Sequence, residues 1–257
     1  MEGEPVVANG GGGWDLCPCI GCHRGPTFAL PRLGGVIMDS ARFSRGELVY
    51  LIGIPLAWAV LLLFHPTGED DDMYAGLQDV VDRWLVVHVV MMVLIPLFAA
   101  AIYLLVRGVE NTAARVCRIA LAPFVVFYTA WEILLGIGTG VLVQDVNGLP
   151  ADQRGTGADL VNEFTDNILV RDFGVFSTIG ALALIIATIA AGIALRRQAG
   201  APIAVPILLG LCGFLIVPHP PPLGPIGLVL FIAAVLLYAR SQPAEQTSAS
   251  LQQPHPT

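Results

Sequence analysis

The chain has 257 residues, 55% of them hydrophobic and only 13% charged, with a formal net charge of -7. Its mean hydropathy is +0.74, whereas a soluble domain carries about 25% charged residues. So little charge cannot cover a water-facing surface, which excludes an ordinary cytosolic enzyme, a disordered chain and a nucleic-acid binder.

Residues 1–46 form a Gly-rich, Cys-bearing segment without an apolar run, read as a flexible cytoplasmic tail. Met1 to Pro18 has neither a basic nor an apolar signal region, so no cleavable signal peptide is expected. Cys19-Ile-Gly-Cys22-His23 matches the C-x-x-C-H spacing of covalent haem attachment, but on a cytoplasmic tail that chemistry has no setting. Cys17, Cys19, Cys22 and His23 offer zinc-type ligands, yet four within seven residues crowd a tetrahedron. The plain reading is a tail with adventitious thiols, and Met38 is a second candidate translation start.

Six apolar segments follow: Glu47–Phe64, Trp84–Val106, Val116–Val143, Phe173–Leu195, Pro202–Val217 and Leu223–Tyr238. A hydrocarbon core of ~30 Å takes about 20 helical residues. The first four segments reach that length. The last two are short and are separated by Pro218 to Pro222, which predicts a tight helical hairpin. The expected fold is therefore all-α, a six-span membrane bundle over residues 47–240. Outer loops would occupy 65–83 and 144–172, and a disordered cytoplasmic tail 241–257.

Arginine supplies every basic charge. Arg24, Arg32, Arg42, Arg45, Arg107, Arg115, Arg118, Arg196, Arg197 and Arg240 fall on one side of a six-span arrangement. Only Arg83, Arg154 and Arg171 fall on the other. This bias places both termini in the cytoplasm and the chain in the plasma (inner) membrane. The outer loops are acidic, from Glu69–Asp72 to Asp172. Such a face can concentrate cations, but acids are also simple solubilising residues. No EF-hand is present: a loop starting at Asp70 would put Tyr74 and Ala75 where an oxygen ligand and a glycine are needed.

One ionisable group lies deep in a span. Glu132 sits ~20 Å along the helix from Arg118 and ~18 Å from Gln144. Tyr128, Glu132, Gly136 and Gly140 share a helical face, with Thr139 alongside. Two glycines four apart admit a neighbouring helix closely, so the carboxyl is expected to face protein. An intramembrane acid is a functional candidate by default. His65, His88 and His219 gather toward the outer side, where they can shuttle protons or ligate a metal or haem. His65 and His219 each precede proline and equally suit helix-end caps. By depth Glu132 lies ~10 Å below His88, a gap for water or a ligand to bridge. Pro55, Pro96, Pro123 and Pro206 interrupt four spans. In the loop 144–171, residues 158–170 carry helical amphipathic spacing at 160, 161, 164, 168 and 169, which predicts a surface helix or lid. Cys117 and Cys212 read as small apolar filler.

Phe64-His-Pro-Thr-Gly68, Trp84-Leu-Val-Val-His88 and Phe127-Tyr-Thr-Ala-Trp-Glu132 with its glycine run are together similar to a group of bacterial six-span integral membrane proteins. The resemblance spans residues 38–240 and implies the six-span fold without bringing an activity. The expectation is a protein that handles a small solute or protons through an outward-facing polar cavity. Glu132 would be the deep group, His88, His65 and His219 the approach, and Tyr128 and Thr139 hydrogen-bond partners. The alternatives are a membrane-embedded metal- or haem-dependent enzyme using His65, His88, His219 and Glu132, and a structural or partner-binding subunit. The sequence names no cofactor. Besides the lipid bilayer it leaves a homo-oligomer open.

Overall fold

A computed structural model describes residues 43–66 and 72–242. The cysteines and His23 of the N-terminal segment, the Glu69–Asp71 acids and residues 243–257 of the expected C-terminal tail lie outside the described residues, whereas Ser241 still belongs to the last helix. Within them every regular element is a helix. These are α1 (Arg45–Leu62), α2 (Met73–Leu77), α3 (Val81–Leu105), α4 (Thr112–Asn147), α5 (Arg154–Asp166), α6 (Val175–Ala199), α7 (Ala204–Ile216) and α8 (Leu223–Ser241). By length and composition, α1, α3, α4, α6 and α8 are five helices able to cross a membrane. The expected fifth span is α7, a shorter apolar helix of 13 residues, or ~20 Å.

Local chemistry sets the helix starts. Ser44 accepts from the Glu47 backbone N–H while Glu47 bonds back to Ser44, a reciprocal capping box opening α1. Asn111 caps α4 through Ala114 N–H, and Asp72 caps α2 through Ala75 N–H. Helix α6 ends at Gly200, whose φ of 64° is the left-handed conformation that glycine adopts without penalty. At this end Glu47 pairs with Arg107, and Arg118 donates to the carbonyls of Val106 and Val109.

Helix α1 packs on α3 and α8, α8 on α7, α7 on α6, and α6 on α4. The central layer is aromatic: Trp58 meets Phe98 edge-on at 5.4 Å, and Phe98 meets Phe231 at 4.9 Å. Close approaches are built on small residues. At Gly192 a Cβ would lie 2.6 Å from Pro206 Cα, and at Gly180 one would lie 2.7 Å from the Tyr128 nitrogen.

Three departures from the sequence reading concern the outer loops. Residues 65–83 include α2 and the start of α3. The third span extends to Asn147 because its end is held from outside: Tyr74 Oη donates to Asn147 Oδ1 at 2.9 Å, and Asn147 Nδ2 to the Gln78 carbonyl at 2.9 Å. The surface helix runs over Arg154–Asp166, earlier than expected, and buries Val161 but not Leu160. It stops where Asn167 Oδ1 accepts from Leu169 N–H, a side-chain turn that competes with helix and leaves Ile168 and Leu169 exposed. Helices α2 and α5 are stitched together by Asn162, which accepts from Tyr74 N–H and donates to Asp72.

Candidate functional site

Four segments far apart in sequence meet at one point. His65 lies in the turn after α1, its N–H on the Leu62 carbonyl. His88 projects from α3, Glu132 from α4, and His219 from the α7–α8 turn. All four are buried, Glu132 and His88 to 2% exposure. Helix α4 is not uniformly α-helical. After Pro123, which lacks an N–H, it widens into π-turns at Phe124–Tyr128 and again at Glu132–Gly138. The acid opens the second of these. Gly136 within it lets α3 lie so close that a Cβ there would overlap the His88 ring.

The hydrogen bonds fix the ring orientations. His88 Nδ1 lies 2.8 Å from the Trp84 carbonyl and His65 Nδ1 lies 2.7 Å from the Pro66 carbonyl. A carbonyl only accepts, so in the neutral rings Nδ1 carries the proton and Nε2 presents its lone pair. His219 Nε2 sits 3.2 Å from His65 Nε2, and its Nδ1 sits 3.4 Å from Tyr128 Oη. Glu132 reaches both sides: Oε2 is 3.7 Å from His88 Nε2 and Oε1 is 3.7 Å from His219 Nδ1. Oε1 has no hydrogen-bond partner. Burial holds His65 down at about 4, against the opposing pull of the Pro66 carbonyl. It also pushes His219 well below its ordinary value, helped by His65 and His88.

Glu132, His65, His88, His219 and Tyr128 thus come together. The separation of ~10 Å expected between His88 and Glu132 is corrected to near contact. That expectation assumed straight α-helices with level ends. The π-turns pack more residues into each turn of α4, and Gly136 admits α3 against them. Thr139 departs from its expected role: it is fully buried, yet its Oγ1 makes no hydrogen bond. Two tryptophans escaped the sequence reading. Trp84 stacks 4.1 Å from His88 and donates to the Gly136 carbonyl at 2.6 Å. Trp131 lies 5.3 Å from His219 and donates to the Val170 carbonyl at 2.9 Å. The i, i+4 spacing of Trp84 and His88 was the available signal for the first.

Two polar hollows open at the α2–α5 end. The larger, about 560 Å3, is lined by Gln78, Asp79, Asp82, Arg83, Gln144 and Asn147. The second, about 410 Å3, adjoins Tyr74 and Arg154. Neither is lined by Glu132 or the histidines, which form a closed centre. Chemically, that centre gathers imidazole lone pairs and a carboxyl around one donor, the His219 Nε2–H facing His65, and among the described residues no Arg pairs with any of the four.

No protein-family model, curated protein or solved structure matches the chain. The class that fold and site define is an all-helical protein with five helices able to span a membrane and a buried centre of three imidazoles and one carboxyl.

Proposed function

We propose that the chain is a multi-pass protein of the plasma membrane with six spans and both termini cytoplasmic. It takes protons or a small cation into the Glu132–histidine centre near the outer face. The observation that carries this reading is a buried carboxyl lying 3.7 Å from two imidazoles, with its Oε1 making no hydrogen bond. An ionised carboxylate in apolar surroundings needs a counter-charge, and an incoming cation supplies one. Two features support the orientation. The arginine-rich end of the bundle, with Arg107 and Arg118, is separated from the centre by most of α3. Asp79 and Asp82 line the larger hollow at the centre's own end. The short α7 crosses as one arm of the α7–α8 hairpin.

The test uses protein reconstituted in vesicles with a pH-sensitive dye inside. Glu132→Gln keeps the side-chain shape and removes the exchangeable proton, so cation-driven proton flux is expected to fall about 100-fold. Unchanged flux would remove the carboxyl from the function.

A further inference from the structure

We propose that His65, His88, His219 and Glu132 are the four ligands of a divalent transition-metal ion, with zinc as the reference ion. This rests on the reading above and specifies its small cation.

The donor set comes first. Three imidazoles and a carboxylate suit ions of borderline softness. Calcium and magnesium demand oxygen, and the strongly thiophilic ions demand sulfur. Among the described residues the two cysteines, Cys117 and Cys212, are buried elsewhere in the apolar core.

The geometry fits. Zinc–nitrogen bonds of 2.0–2.1 Å give a tetrahedron with edges of about 3.3 Å. His65 Nε2 and His219 Nε2 are 3.2 Å apart, and Glu132 Oε2 is 3.7 Å from His88 Nε2. Glu132 Oε1 is 3.7 Å from the other His219 nitrogen, Nδ1, so His219 would bind through one of its two nitrogens and the carboxylate would turn to meet it. One ligand atom from each histidine lies within 4.8 Å of the others. Closing such a gap takes at most about 1.5 Å of movement, within reach of side-chain rotation.

The surroundings prepare the ligands. Metal-bound histidines commonly donate their second N–H to a fixed acceptor, which aims the free lone pair at the ion. His65 and His88 both do so, on the Pro66 and Trp84 carbonyls. The partnerless Oε1 of Glu132 gains a ligand role, and the carboxylate offsets one of the two positive charges. Each ligand comes from a different element, so the ion would pin α1, α3, α4 and the α7–α8 turn together.

The test titrates full-length, chelator-treated protein in nanodiscs with Zn2+, with X-ray absorption on the loaded protein and Co2+ as a spectroscopic substitute. Expected are one ion per chain and a nitrogen/oxygen shell with imidazole scattering. His88→Gln and His219→Gln should each weaken binding by about 100-fold or more, beyond the 10–100-fold typical of losing a supporting contact. If those variants do not fold, the wild-type absorption spectrum decides alone. Sulfur in the shell, or binding abolished by replacing Cys17, Cys19 and Cys22 with Ser, moves the metal to the N-terminal segment and overturns the proposal. So does the absence of stoichiometric binding of Zn2+, Co2+, Ni2+ and Cu2+. That failure alongside a Glu132-dependent proton flux retires the metal and leaves the cation centre. A histidine-bound metal with flux indifferent to Glu132 retires the transport role instead.

Discussion

His65 follows α1 and His219 sits in the α7–α8 turn, and each is an imidazole enclosed by rings. Trp84 lies 5.1 Å from His65, and His65 lies 4.9 Å from His219. A protonated His65 would lose its hydration on burial, which is why it is held at about 4. The unfolded chain regains an ordinary histidine near 6.5. Between those values the unfolded state binds protons that the native state does not, so this contribution is complete above about 6.5 and is lost as pH falls toward 4. Chelator-treated protein should therefore melt at a lower temperature at about pH 5 than at about pH 7. His65→Gln should weaken that dependence, leaving the share of His219, and a wild-type melting temperature unchanged over the interval would refute it. Glu132 was legible because a lone acid in an apolar run is conspicuous. Trp84 and Trp131 were not, since an indole in a membrane span looks the same whether it faces lipid or a neighbouring imidazole.

At the level of elements, long apolar runs between arginine clusters announce the helices, and the structure shifts the ends of the six expected spans by only a few residues. What hydropathy does not carry is the winding within a helix. Phe124–Tyr128 and Glu132–Gly138 are as apolar as their α-helical neighbours, so nothing in composition marks the wider turns. The face shared by Tyr128, Glu132, Gly136 and Gly140 survives, because Gly140 lies against Trp84 and Leu85, and Gly136 against His88. Gly136→Ala puts a methyl group into the His88 ring. Overpacking of this kind costs about 1–3 kcal/mol, so reduced thermal stability and a displaced His88 are expected. A Gly136→Ala protein as stable as wild type would show that α3 and α4 need no such close approach.

Across the whole molecule, the outcome turns on α7. Its 13 residues fall short of the usual spanning length, and only if the α7–α8 hairpin enters and returns do both termini share a side. Cysteine labelling in a background free of native cysteines separates the arrangements. With six spans, Asp152→Cys reacts with an impermeant maleimide on intact cells, whereas Arg197→Cys and Ser241→Cys react only after lysis. Ser241→Cys labelled on intact cells would give five spans and an external C-terminus.

The joining of His65 to His219 has a consequence for biosynthesis. These rings meet across 154 positions of chain, so the earlier helices can enter the bilayer and pair while the assembly still lacks its last imidazole. Only when the ribosome has delivered the turn beyond Ile216 can the four groups close on one another. A nascent chain halted before α7 would then carry His65, His88 and Glu132 but lack the imidazole that completes the set.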